Sequence, residues 1–356
     1  MLPPKVSGLG VLFKTYDPVS DLVECAALVE REGLHSFWLA EAYHWFRNYG
    51  GESRGAMVTA AAIACGTRRI PIGIGIVTPY TRHPTIIAME AAALDEVSGG
   101  RLTLGLGVGK VGVNYLGFDM SRMTPVATHR ESIEIIRGVL RGKPFEYHGK
   151  IFHATVPAVA PESVRYRPDL PIHIGATGPK MIELAGAMAD GLILPGLTTP
   201  GLVRYAREHL EIGARRSGRA LNGFPVAAVI VCCISRDGKR ARDIARPMVF
   251  TYLVNKLENI QNQTLIDVAG LTEDDLAPIQ RAIARREAGD PSRHVSDEIL
   301  RKTSVIAGTP EECVETVRNL AASGLTLPLL EVAWEGREET IRLAAGEVAP
   351  HVTGGR

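Results

Sequence analysis

Apolar residues in this chain come in short unbroken runs, each followed by a longer stretch with helical spacing. The runs lie at 6–13, 36–42, 70–78, 101–109, 171–176, 191–196, 226–234 and 327–334. Helical patterns lie at 17–32, 54–65, 84–97, 128–141, 178–189, 200–216, 237–256, 310–322 and 338–347. The first puts Leu22, Ala26 and Val29 on one side and stops at Gly33. The third opens with Pro84 and stops at Ser98-Gly99-Gly100, a helix start and stop of the expected residue types. Thr309 with Glu312 three residues on has the spacing of a capping box. Runs that are apolar throughout, rather than alternating, belong to strands covered on both faces and therefore to a parallel sheet. Eight strand–helix units fit either a doubly wound open sheet or a closed (β/α)8 TIM barrel, and eight favours the barrel.

The rhythm breaks twice. Residues 144–169 and 259–302 read as insertions in one domain spanning 1–356, not as linkers. The first holds a hairpin at 145–152 centred on Tyr147-His148-Gly149-Lys150. The second is polar, charged and mostly helical, including 273–287, and is expected to cover the mouth of the barrel. Composition narrows the function. Lys+Arg total 40 and Asp+Glu 39, so a net charge of +1 leaves no basic footprint for nucleic acid. The five cysteines include no C-x-x-C pair, against both a disulfide framework and a zinc ribbon. No secretory pattern opens the chain, and no apolar stretch reaches the roughly 18 residues of a membrane span. These features describe a cytoplasmic enzyme acting on a small molecule, with no metal site indicated.

Four places carry candidate chemistry. Gly107-Val108-Gly109-Lys110-Val111-Gly112 matches G-x-G-x-x-G in form, but no helix opens inside it, so a dinucleotide fingerprint is disfavoured. It reads better as a glycine-rich strand end, Gly105 to Gly109, where a flat ligand approaches the backbone; tight strand packing is the bland alternative. Gly175-Ala176-Thr177-Gly178-Pro179-Lys180 joins a strand to a helix start, where backbone N–H groups, Thr177 and Lys180 suit an anion; an ordinary helix start is equally consistent. Arg82 and His83 follow the third strand, and a lone histidine there is more often structural. Glu41 ends the second strand among Phe37, Trp38, Tyr43, Trp45 and Phe46, with His44 nearby, and Glu331 ends the eighth. Cys232 and Cys233 read as core, and Asp95 and Glu96 as a helix end.

The strings IPIGIGIVTPYTRHP (70–84), LDEVSGGRLTLGLGVG (94–109), IGATGPKM (174–181) and ADGLI (189–193), in this order over 5–215, resemble the bacterial-luciferase-like superfamily. They are similar in particular to methylenetetrahydromethanopterin reductase and related F420-dependent oxidoreductases. The resemblance implies a (β/α)8 barrel binding F420 or FMN at the carboxyl ends of its strands, and a homodimer. It also implies a cis peptide at Gly75-Ile76, forming a bulge behind the ring. The ring is placed near Glu41, Thr78 and Gly107, and the phosphate near Thr177, Gly178, Pro179 and Lys180. Gly109, Ala176 and Gly196 complete the expected cofactor set, and Glu41, His44 and His83 are the candidates for acid or base. The implied reaction is hydride transfer at C5 of F420 to a small organic substrate. The alternatives are an FMN-dependent monooxygenase supplied by a partner reductase and a non-catalytic flavin-binding barrel. Three departures bear on the substrate. Glu41-Ala42 stands where many F420 enzymes carry Asp-His, and Lys110 stands where sugar-phosphate dehydrogenases carry an acid. The first strand ends in Lys14 where the pterin reductase has an acid. Together they argue against the pterin and a sugar phosphate as substrates.

Overall fold

The computed structural model describes residues 5–41, 53–109, 116–157, 167–257, 270–285 and 289–354. The chain runs β1 (Gly10–Lys14), α1 (Val19–Arg31), β2 (Ser36–Ala40), α2 (Ala56–Gly66), β3 (Ile72–Val77), α3 (Pro84–Ser98), β4 (Leu102–Gly107) and α4 (Pro125–Leu140). The hairpin β5 (Phe145–His148) and β6 (His153–Val156) follows, then β7 (Ile172–Gly175), α5 (Pro179–Met188), β8 (Gly191–Leu194), α6 (Pro200–Arg216), β9 (Val226–Ile234) and α7 (Gly238–Leu257). The last part is α8 (Glu273–Ala284), α9 (Asp297–Lys302), β10 (Ile306–Gly308), α10 (Pro310–Ala322), β11 (Leu327–Val332), α11 (Arg337–Leu343) and α12 (Ala349–Val352).

Strands β1, β2, β3, β4, β7, β8, β9 and β11 pair in parallel, and β9 joins β8 to β11, which returns to β1. This is the closed eight-stranded barrel that continuous apolar runs favour. The short β10 pairs with the C-terminal third of β9, matching Ile306 to Cys232, and was not expected. The hairpin is present, but its turn lies at 149–152, later than its pattern suggests. Glu131 of α4 explains the shift: its carboxylate accepts from the backbone N–H groups of Lys150, Ile151 and Phe152 at 2.8–3.0 Å. The capping box at Thr309 and Glu312 is formed.

The helices pack their apolar sides on the outside of the barrel to make the main core. A second core joins Val231 and Cys233, on the same face of β9 as the interior Ala227 and Val229, to Ala241, Ala245 and Val249 of α7, and to Leu276, Ile279 and Ile299 of α8 and α9. The described part of the 259–302 insertion is therefore packed on α7 and on the carboxyl end of β9. Polar clamps fix the strand entrances. Arg101 donates to Ser98 O, Thr67 Oγ1, Ile70 O and Ala64 O, closing the end of α2 against the start of β3. Asp95, expected to be a helix-end acid, is buried and forked to Arg167 at 2.8 and 2.9 Å.

Candidate active site

Inside the barrel, Leu12, Trp38, Ile193, Ala227, Val229, Leu327 and Leu329 form a compact plug, with Ala40 and Ile76 packed at its edge. Side chains two apart on a strand share a face. Continuing inward from Leu12 on β1 gives Lys14, and from Leu329 on β11 gives Glu331. Both stand at the carboxyl ends of their strands, where barrel enzymes place their sites.

The bond Gly75–Ile76 is cis, as the resemblance implies, and the β3–β4 register shifts between Ile74 and Val77. Gly75 and Ile76 are the two partly exposed residues of an otherwise buried β3. The glycines of β4 and β7 make room for Ile76. A Cβ on Gly107 or Gly175 would come within 2.8 Å of its side chain, and one on Gly105 would lie 2.2 Å from Ile74 O. Ile76 thus packs into the space that these glycines leave open. Gly109 has φ +61° and sits 3.5 Å, at its Cβ position, from the Thr78 side chain. Thr78 in turn donates to Val108 O at 3.0 Å, tying the ends of β3 and β4 together.

Glu41 and Arg82 form a two-pronged ion pair, Nη1 to Oε1 at 2.7 Å and Nη2 to Oε2 at 2.9 Å, with the Glu41 side chain sealed from solvent. Arg82 Nε also lies 3.6 Å from Glu90. Glu41 is thus the anchor of the β3–α3 loop, with both oxygens engaged. His83 caps α3: its Nδ1 accepts from the Thr85 N–H at 3.3 Å, and its ring meets Phe152 edge-on. That is the structural role a lone histidine was expected to fill. His44 and Lys110 lie outside the described residues.

At the other side, Gly178 precedes α5 with Pro179 at the first turn and no side chain capping the helix start. Ala176 N–H donates to Ile193 O at 3.1 Å, holding the β7 end against β8. Thr177 is half-buried and Gly178 to Lys180 are exposed. Lys180 Nζ is 3.3 Å from Glu183, which also pairs with Arg216. Burial alone would raise the Glu183 carboxyl, but the Lys180 and Arg216 charges hold it below its usual range. Gly196 makes space instead of contact: a Cβ there would sit 2.4 Å from the Tyr252 ring, so the glycine admits Tyr252 to the mouth.

Tyr252 belongs to a cluster that sequence reasoning missed. Glu331 Oε1 lies 2.7 Å from Lys14 Nζ, and Glu331 Oε2 accepts from Tyr252 Oη at 2.5 Å. The ammonium also stands 4.8 Å from the Tyr252 ring centroid. Only the inward phase of β1 and β11 in the sequence could have pointed to the first two, and nothing in it pairs them with Tyr252. Among the described residues, no group of three or more His, Cys, Asp or Glu could hold a metal, and no helix is long and apolar enough to cross a membrane.

The profile of the luciferase-like monooxygenase family matches residues 4–327. The chain belongs to this family. It is 30% identical to 5,10-methylenetetrahydromethanopterin reductase of Methanolobus tindarius over 89% of this chain and 91% of the relative. It is 26% identical to F420-dependent glucose-6-phosphate dehydrogenase of Nakamurella multipartita, over 83% of this chain and 87% of that one. Among solved structures, the coenzyme F420-dependent tetrahydromethanopterin reductase of Methanopyrus kandleri superposes with a TM-score of 0.84 at 28% identity, covering 98% of this chain and all of the other. Membership in the luciferase-like family and the closed barrel agree, and the mouth at the carboxyl ends of the strands is the part of the fold that distinguishes one member from another.

Proposed function

We infer that this chain is an F420-dependent oxidoreductase that transfers a hydride between C5 of the deazaflavin and a small organic molecule. The observation that carries the reading is the pairing of two surfaces at one mouth. One is the apolar Gly75–Ile76 step, partly exposed where the rest of β3 is buried. The other is the helix start at Gly178–Lys180, whose N–H groups no side chain caps. A flat ring carrying a phosphate fits such a pair: Ile76 backs the ring, and the α5 N-terminus with Lys180 takes the phosphate. F420 supplies two-electron chemistry without activating oxygen, and the protein supplies position and a proton. The names of the relatives support F420 over FMN. Arg82 contributes less to an acidic tail than its charge suggests, because Glu41 and Glu90 hold it.

Titration with each cofactor, followed by absorbance and protein fluorescence, tests the reading. F420 binds; FMN binds no better than its phosphate requires. Tight FMN binding with no F420 binding overturns it in favour of the monooxygenase. Lys180→Ala weakens F420 binding by about tenfold, the low end of the ~1.5–3 kcal/mol of a charge-assisted contact, since Lys180 already shares Glu183 with Arg216. An unchanged dissociation constant places the phosphate elsewhere.

We also infer a homodimer through α2 and α3. Helix α2 has no charged residue at all, the composition of a helix covered on every side. Yet Val58 is 78% exposed, and Met89 and Val97 of the adjacent α3 are more than half exposed. A second copy of the chain covers them. Light scattering after gel filtration reads twice the chain mass, and Met89→Glu shifts it to the monomer; a wild-type monomer at micromolar concentration refutes the assignment.

A further inference from the structure

The end of the barrel opposite the mouth is hollow. Barrel interiors are ordinarily filled by layers of bulky branched side chains. Here the inward positions nearest the amino ends of the strands include Gly10, Ser36, Gly73, Thr103 and Gly191, each in phase along its strand with the residues of the plug. Two rings use the room that the glycines leave. A Cβ on Gly73 would come within 2.1 Å of Trp38, and one on Gly191 within 2.4 Å of His173. Trp38 Nε1 donates to Ser36 Oγ at 2.8 Å, and the Trp38 and His173 ring centroids are 5.9 Å apart. The two rings roof a cavity of about 800 Å³, walled by Val6, Pro71, Leu221, Phe224, Pro225 and Leu327. Its size is that of a pocket for a small organic molecule.

The charges around this cavity are uneven. On the β7 side, the Asp190 carboxylate accepts from Arg137 and from the Ile172 N–H, so its charge is balanced. The neighbouring His173 is 5% exposed, its Nδ1 has no hydrogen-bond partner among the described residues, and burial keeps the ring neutral at pH 7. On the β11 side stand two cations, Lys5 and Arg207, and neither is paired with an acid among the described residues. The backbone brings them to one strand start. Ser7 N–H, two residues after Lys5, donates to Thr326 O at 2.8 Å, and Arg207 Nε donates to Gly324 O at 3.0 Å.

We propose that this cavity is a binding site for a small organic monocarboxylate, its apolar body lodged under Trp38 and His173 and its carboxylate at the rim against Arg207 and Lys5. The site is separate from the mouth, with the plug between them, and the proposal does not rest on the F420 reading. The two cations favour an anion, since nothing at the rim already neutralises them. The apolar walls favour a single charge: a second one would lie against Phe224 and Leu327, out of water and unpaired. An amine would meet Lys5 and Arg207 at the only charged part of the rim that lacks a counterion among the described residues.

Calorimetric titration of the full chain, with no cofactor added, tests this. The probes are benzoate and octanoate, their neutral amides, and benzylamine. Both acids are expected to bind with dissociation constants below about 1 mM, the amides about tenfold more weakly, and the amine not at all. Raising the salt from about 50 to about 500 mM weakens the acids severalfold and leaves the amides unchanged. Three variants locate the site, each checked by circular dichroism and melting temperature. Arg207→Gln weakens benzoate about tenfold. Lys5→Gln, at an exposed side chain that the fold does not need, weakens it about threefold. Thr103→Leu puts extra volume into the cavity and weakens benzoate and benzamide alike, by at least about tenfold. The proposal is overturned if neither acid binds wild type below about 10 mM, or if the amides or the amine bind as well as the acids. It is also overturned if folded Thr103→Leu and Lys5→Gln both keep wild-type affinity, since the acid would then be bound elsewhere.

Discussion

Between pH 6.5 and pH 4 the fold should lose on the order of 3 kcal/mol through a single histidine. His173 of β7 is buried beside Trp38, with ring centroids 5.9 Å apart, and its Nδ1 has no hydrogen-bond partner among the described residues. Burial pushes its pKa from 6.5 down to about 4, and the nearby Asp190 charge opposes this without reversing it. In that window the unfolded chain holds a proton on this ring that the folded chain does not. Stability therefore falls as the pH falls, beginning near 6.5, and the loss is complete near 4. The span of about 2.5 units at ~1.4 kcal/mol each gives the magnitude. Urea midpoints at pH 7, 6, 5 and 4 measure it. His173→Gln, which carries no charge at any of these values, should show a flatter slope from 6.5 to about 4.5. Below that, Glu131 adds its own loss in both proteins: burial raises its carboxyl, but three backbone N–H donors hold it below the usual range. Parallel slopes for the two proteins above pH 4.5 would show that His173 titrates normally.

Gly213→Ala should destabilise the protein by about 3 kcal/mol, although alanine is the better helix former by about 1 kcal/mol. Helices α5 and α6 touch backbone to backbone through two glycines. A Cβ at Gly213 would lie 1.8 Å from Glu183 O, and one at Gly186 would lie 2.1 Å from Leu210 O. A carbonyl oxygen in a helix cannot step aside as a side chain can, so the helices must part. Because α5 begins at Gly178–Lys180, where we propose that the F420 phosphate binds, F420 affinity should fall together with the melting temperature. Gly55→Ala is the control: its Cβ meets nothing within 4 Å and its φ is −65°. If Gly213→Ala melts with the wild type, the close crossing is not there.

Much of the barrel was legible because its strands are buried on both faces, and such strands leave continuous apolar runs that no other arrangement needs. Ile306-Ala307-Gly308 was too short to read as a strand and pairs only because β9 runs on beyond β8. The hairpin turn was misplaced because its determinant, Glu131, lies on a different element. At the site, Glu41 and Arg82 were each visible, but their pairing depends on how the loops after β2 and β3 fold together. Lys14 and Glu331 are 317 residues apart in sequence and meet only when β11 closes on β1. A charged residue at a strand end reads as surface until closure turns it inward.

The fit of Ile76 among Gly105, Gly107 and Gly175 has a consequence for how this chain can diverge. One side chain fills the space of several absent ones, so these positions cannot drift one at a time. Alanine at Gly107 collides with Ile76 within 2.8 Å, but a smaller residue at 76 vacates that volume, and each change alone is worse than the two together. Residues in contact of this kind couple by roughly 0.5–3 kcal/mol. A lineage that altered the wall of this mouth to receive a bulkier ring or substrate would have to cross a less stable intermediate, or change both strands at once. The barrel's tolerance for new loops at its rim therefore does not extend to this inner wall, which ties β3, β4 and β7 into one mutational unit.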